Sequence, residues 1–137
     1  ELSRLIALTE PEGSKTEYRY DAVGNTTKVK DANGYITEFQ YDSIGNAVKA
    51  ISQRGTEISY TYDKHNMLTS VTDALGYVTN YQVDLNGLTT KMVQPNGGEY
   101  TYTYDKVNRI TGITTPNGYE KTLVNKIIKS LMKMYMK

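Results

Sequence analysis

Aspartate recurs at a fixed interval of 21 residues, at Asp21, Asp42, Asp63, Asp84 and Asp105. Glycine keeps the same interval in another phase, at Gly13, Gly34, Gly55, Gly76, Gly97 and Gly118. A chain with this register is a tandem repeat, so any residue that looks like a site must first be weighed as one copy of a structural position. A repeat of this length cannot bury a face by itself and takes its stability from its neighbours.

An aromatic pair precedes each aspartate except Asp84, whose copy keeps only the first aromatic. The copies read Tyr18-Arg19-Tyr20-Asp21, Phe39-Gln40-Tyr41-Asp42, Tyr60-Thr61-Tyr62-Asp63, Tyr81-Gln82-Val83-Asp84 and Tyr102-Thr103-Tyr104-Asp105. After each aspartate a turn is expected, because an Asp side chain can bond the backbone two residues on. Glycine (Gly24, Gly45, Gly87) or asparagine (Asn66, Asn108) closes it, and these tolerate positive φ best. The second turn centres on the other glycine series, as in Asp31-Ala32-Asn33-Gly34, Pro95-Asn96-Gly97 and Pro116-Asn117-Gly118. Asn-Gly is a strong hairpin signal. Positive φ is therefore expected at Gly34, Gly55, Gly76, Gly97 and Gly118.

Between the turns the pattern alternates. Tyr35, Thr37, Phe39 and Tyr41 share one face, and Ile36, Glu38 and Gln40 the other. Tyr100, Tyr102 and Tyr104 likewise oppose Glu99, Thr101 and Thr103. The register predicts a column of Tyr18, Phe39, Tyr60, Tyr81 and Tyr102, more buried than Arg19, Gln40, Thr61, Gln82 and Thr103. In the second run apolar residues stand three apart: Leu5 and Leu8, Leu68 and Val71, Ile110 and Ile113. Period two cannot place both on one face, so a bulge or an early-ending turn is expected there. The fold class that follows is all-β: tandem 21-residue antiparallel hairpins side by side in a curved open sheet over 1–120.

Composition narrows the chemistry. Thirteen tyrosines, one phenylalanine and no tryptophan give an amphipathic rather than greasy interior. With no cysteine the chain has no disulfide, thiolate ligand or thiol nucleophile. Residues 121–137 hold five lysines and no acid; the other 120 carry 11 basic and 15 acidic groups, a net of −4. That mildly acidic body argues against nucleic acid as a partner. The sole histidine, His65, sits in the turn slot filled elsewhere by Val23, Ile44, Asn86 and Val107, a poor place for a catalytic base. The aspartates read as turn caps strung along a sheet rather than a convergent acid–base pair. Asp31-Ala32-Asn33-Gly34 opens like a calcium loop but lacks the closing Glu. Only Asp73 repeats its first residue, with Ser52, Gln94 and Thr115 in that slot elsewhere. Neither catalytic, metal nor cofactor residues are expected. The tyrosine column reads as cross-strand packing before it reads as a sugar platform.

Tyr20-Asp21-Ala22-Val23-Gly24-Asn25 and Tyr41-Asp42-Ser43-Ile44-Gly45-Asn46 resemble the signature of the Rhs/YD-repeat family; Tyr62-Asp63 and Tyr104-Asp105 match its core, and Val83-Asp84 is a weaker copy. The resemblance covers about residues 1–120. It implies hairpins that spiral into a hollow β-shell. In bacterial Rhs-type toxins such a shell encloses a toxic C-terminal segment, and related, teneurin-like shells occur in cell-surface adhesion proteins. By that resemblance this chain is a non-catalytic stretch of wall, secreted or surface-displayed. Its partners would be the rest of a longer YD-repeat polypeptide and an enclosed toxin segment. The alternative is a repeat module that binds cell-surface glycans. The family's shell-closing region, with its autoproteolytic aspartates and Asp-Pro-x-Gly-type motif, has no counterpart in these residues, so self-cleavage is not carried over. Because Leu5 and Leu8 align with Leu68 and Val71, the chain reads as a fragment that begins inside a repeat.

The comb ends after Gly118-Tyr119. Leu123, Val124, Ile127, Ile128, Leu131, Met132 and Tyr135 fall on one helical side and Lys126, Lys129, Lys133 and Lys137 on another. A basic amphipathic helix is expected over roughly 122–136, within a tail of 121–137. It reads first as the out-of-frame end of a damaged repeat gene. The next reading is a cap on the open sheet edge, and the last is a helix lying on an anionic membrane surface.

Overall fold

The computed structural model describes residues 4–122. Among the described residues the chain is all-β, with twelve strands. It divides into two compact units, one running to Tyr77 and the other starting at Val78.

The first unit holds β1 (Ala7–Thr9), β2 (Lys15–Tyr20), β3 (Thr26–Lys30), β4 (Ile36–Tyr41), β5 (Ala47–Ser52), β6 (Glu57–Tyr62) and β7 (Leu68–Thr72). Each strand pairs antiparallel with the next. The second unit repeats this meander with β8 (Val78–Val83), β9 (Thr89–Val93), β10 (Glu99–Tyr104), β11 (Ile110–Thr114) and β12 (Glu120–Thr122). Every 21-residue copy thus supplies two strands and two turns, as the alternation requires. The run expected to begin at Tyr35 starts one residue later. Tyr35 closes the preceding turn and is 56% exposed.

The three-residue apolar spacing has the expected cause. Arg19 pairs with Lys28 and Tyr20 with Thr26, so Thr27 is an extra residue. Val48, Thr69, Thr90 and Thr111 are skipped in the same way. Each is a β-bulge 21 residues after the last. The inserted residue returns both apolar positions to one face: Leu68 lies opposite Tyr62 and Val71 opposite Tyr60. Threonine suits the bulge because its hydroxyl finds a partner across the pair, Thr27 on the Arg19 carbonyl at 3.3 Å and Thr90 on the Gln82 carbonyl at 3.2 Å.

Each unit therefore has two unlike faces. In the first, Tyr18, Phe39 and Tyr60 are half-buried opposite Val29, Ala50 and Val71. In the second, Tyr81 and Tyr102 lie opposite Met92 and Ile113. Arg19, Gln40, Thr61, Gln82 and Thr103 are exposed on the other face, so the register is as expected. That face carries cross-strand ion pairs, Lys28–Glu38, Lys49–Glu57 and Lys91–Glu99, each at 2.7 Å. Among the described residues no side chain is fully buried. Among the described residues, each unit is a single layer of strands with no second layer on its aromatic face. The helix expected over 122–136 lies outside the described residues, apart from Thr122, which ends β12.

Candidate functional site

The repeated aspartate is the first candidate, and in every copy its carboxylate accepts the amides two and four residues on. The Asp21 amide donates to the Asn25 carbonyl at 3.0 Å, and the Gly24 amide donates back to the Asp21 carbonyl at 3.3 Å. One carboxylate oxygen of Asp21 accepts the Val23, Gly24 and Asn25 amides at 3.1, 2.7 and 2.9 Å. The other accepts the Asn25 side-chain amide at 2.9 Å. Asp42 repeats this with Ile44 and Asn46. Asp63 takes the His65 and Met67 amides, Asp84 those of Asn86 and Leu88, and Asp105 those of Val107 and Arg109. The Arg109 guanidinium binds the second oxygen of Asp105 at 2.7 Å.

At Asp21, Asp42, Asp63 and Asp105 these bonds favour the ionised carboxylate. At Asp21 and Asp42 partial desolvation pushes the pKa up, but the amide donors outweigh it and the result is a lowered value. At Asp63 the Met67 and His65 amides lower it, and at Asp105 the Arg109 amide and side chain do so. A carboxylate poised as a general acid needs the opposite shift.

The backbone of the turn explains the glycine and asparagine comb. Its fourth residue has φ of 93° at Gly45 and 62° at Asn66, the left-handed conformation that ends a three-residue hairpin loop. The second turn uses the same scheme. The Asp31 amide donates to the Tyr35 carbonyl, its carboxylate accepts the Asn33 and Tyr35 amides, and Gly34 has φ of 84°. Gly55, Gly76, Gly97 and Gly118 also hold positive φ. His65 stands exposed at the β6–β7 tip. Among the described residues no three His, Asp or Glu side chains gather as a metal site would need.

The tyrosine before the aspartate does something the sequence reading did not anticipate. The β3–β4 ladder stops at Lys28 opposite Glu38, two residues short of Thr26. The Tyr41 hydroxyl reaches into that gap and donates to the Thr26 carbonyl at 2.8 Å. Tyr20 does the same to Leu5 at 2.7 Å, Tyr62 to Ala47 at 2.8 Å and Tyr104 to Thr89 at 2.7 Å. Each bond spans 15 residues and ties a repeat to the one before it. Val83, in the same slot, has no hydroxyl to give. Burial first, then a nearby aspartate, raises the pKa of Tyr41, so its phenol stays a neutral donor. At Tyr62 burial is again the main cause.

Turn residues also reach forward. The Arg4 guanidinium donates to the Asp21 carbonyl at 2.8 Å and lies 5.8 Å from the centre of the Tyr20 ring. A shallow groove of ≈ 590 Å³ between the Asp21 and Asp42 turns is lined by Val23, Asn25, Phe39, Tyr41 and Ile44. Val23 and Ile44 stand exposed at its rim.

A meander with an aspartate-capped turn in every repeat and a hydroxyl link in all but the Val83 repeat defines a class, the tandem β-hairpin arrays. The model of one such family, the RHS repeat, matches residues 1–36, 20–52, 41–78 and 83–120. The chain belongs to the RHS repeat family. No curated protein matches it. Among solved structures it is similar to TcdB2-TccC3 (TM-score 0.59, 23% identity, 74% of this chain and 6% of that one). It is also similar to TcdB2-TccC3-Cdc42 (0.58, 23%, 74% and 5%) and to the Photorhabdus luminescens Tc holotoxin pore (0.57, 22%, 77% and 6%). At these identities the likeness is one of fold. The chain spans only about a twentieth of the length of those proteins.

Proposed function

We propose that this chain is a non-catalytic stretch of shell wall within a longer RHS-repeat polypeptide, of the kind that encloses a C-terminal toxin. One observation carries this reading. The two signature residues, Asp in every repeat and Tyr in all but the Val83 repeat, are consumed by the fold, the hydroxyl on the preceding repeat and the carboxylate on its own turn. Nothing in them is left over for chemistry. Membership of the RHS repeat family and the likeness to Tc toxin assemblies support the same reading. The wall would be secreted or displayed at the cell surface, and the enclosed segment would be its main partner. Limited proteolysis of the parent polypeptide tests this: a segment downstream of the repeats resists protease until the wall is denatured. Cleavage of that segment at the rate of an exposed linker would count against enclosure.

A second reading rests on the uncovered aromatic face, where the half-buried rings of Tyr60 and Tyr102 could stack on sugar rings. A glycan array separates the two. The wall reading expects no tyrosine-dependent binding, whereas signal lost on Tyr60→Ala or Tyr102→Ala assigns the face to adhesion.

The division at 120/121 into repeat array and basic tail belongs to the same proposal. Capping expects a 1–120 truncation to melt earlier than the full chain, and membrane binding expects 122–136 to bring the chain down with anionic vesicles. If both results are negative, the damaged end remains.

A further inference from the structure

Four Asn-Gly pairs stand in the turns, at Asn33–Gly34, Asn86–Gly87, Asn96–Gly97 and Asn117–Gly118. Asn-Gly is the pair most prone to spontaneous deamidation, because glycine does not hinder attack by its own amide nitrogen on the Asn side chain. In all four turns that nitrogen is engaged. The Gly34, Gly87, Gly97 and Gly118 amides donate to the first carbonyl of the turn at 2.9, 3.0, 2.9 and 2.9 Å. Attack therefore requires the turn to open, and the four differ in what opening breaks.

At Asn33 and Asn86 the turn begins with aspartate. Opening gives up the Asp31 carboxylate bonds to the Asn33 and Tyr35 amides, or the Asp84 bonds to Asn86 and Leu88. Hydrogen bonds to a charged acceptor are the strong kind. At Asn117 the Thr115 hydroxyl bonds both the Asn117 side-chain oxygen and the Tyr119 carbonyl. Asn96 has neither restraint. Its turn begins with Gln94, and the extra bond is made by Asn96 itself, whose side-chain oxygen accepts the Gly98 amide at 3.0 Å. That bond withdraws electrons from the carbon to be attacked and holds the side chain over the following backbone. A Cβ at Gly98 would crowd the Asn96 oxygen at 3.1 Å, and at Asn117, where Tyr119 fills this slot, the equivalent bond is longer, 3.4 Å. The other copies carry Tyr35, Thr56, Tyr77 and Tyr119 in this slot.

We propose that Asn96 at the β9–β10 tip is a self-modifying site that deamidates ahead of the other three Asn-Gly pairs. The Gly97 nitrogen loses its proton and bonds to the side-chain carbonyl carbon of Asn96. The bond from that carbon to the amide nitrogen breaks, and ammonia leaves. Water then opens the succinimide at either carbonyl, giving aspartate or isoaspartate at position 96. The product carries a new negative charge. The isoaspartate form also adds a backbone carbon three residues from the Val93–Glu99 rung.

The test is peptide mapping by mass spectrometry of the full chain aged in mildly alkaline buffer, folded and urea-denatured. In the folded chain Asn96 converts about tenfold or more faster than Asn33 and Asn86, the kinetic equivalent of about 1.4 kcal/mol. In the denatured chain the rates converge. Gln94→Asp, which installs the residue found at Asp31 and Asp73, slows Asn96 to the rate of Asn33 while leaving the circular dichroism spectrum unchanged. Three results overturn the proposal: Asn33, Asn86 or Asn117 keeping pace with Asn96 in the folded chain, the same tenfold spread persisting in urea, or Gln94→Asp leaving Asn96 as fast as before.

Discussion

At the scale of the residue, each turn concentrates its stability in one carboxylate and one left-handed residue. Asp42→Ala removes the acceptor for two backbone amides and for the Asn46 side chain. A lower midpoint than wild type is expected in chemical denaturation, because the turn amides lose a charged acceptor. Gly34→Ala or Gly97→Ala meets no steric neighbour closer than 4.0 Å, so any cost comes from φ of 84° or 81° alone. About 1 kcal/mol is expected there. A melting point equal to wild type for both alanine variants would show that the turns tolerate side chains at positive φ. This much was legible in the sequence, since Asp, Gly and Asn each have a local reason to occupy a turn. Asn66 and Asn108 read correctly because they replace glycine only in the slot that needs positive φ.

At the scale of the element, the two faces and the bulge could also be read in advance. Tyr-x-Tyr alternation places side chains by period two, and a three-residue apolar spacing on the partner strand demands one inserted residue. The hydroxyl link could not be read. It depends on where the β3–β4 and β5–β6 ladders stop, which is a property of the strand pair and is encoded by no single strand. Nor did alternation reveal that Tyr35 belongs to the turn, because a turn's last residue and a strand's first look alike in a periodic pattern. Tyr62→Phe keeps the ring on its face and deletes only the bond to the Ala47 carbonyl. A loss of about 0.5–1.5 kcal/mol is expected in a thermal melt. Thr69→Val, at the bulge, deletes a hydroxyl that bonds Thr61 at 2.8 Å on the exposed face. A smaller loss is expected, so a Thr69→Val effect exceeding that of Tyr62→Phe would reverse the ranking of the two contacts.

At the scale of the whole molecule, acid acts on the turn caps and alkali on the repeat links. Asp21, Asp42, Asp63 and Asp105 have lowered pKa values in the fold, so their contribution is present above the unfolded value of about 3.9 and is lost as pH falls through the folded values. The Tyr41 and Tyr62 phenols have raised values, so theirs is present below about 10 and is lost at higher pH. Melting temperature against pH should therefore form a plateau that falls away below about 4 and above about 10. Salt should change the midpoint little, since the ion pairs are surface pairs of small worth. The central claim is that the signature tyrosines couple repeats to one another. Urea unfolding of the Tyr41→Phe/Tyr62→Phe double variant against wild type tests it most directly. In an array of coupled repeats, weakening two links lowers the midpoint and also broadens the transition, because neighbouring repeats no longer unfold together. A double variant with wild-type midpoint and slope would contradict the account, leaving the tyrosine hydroxyls without a role in holding the array together.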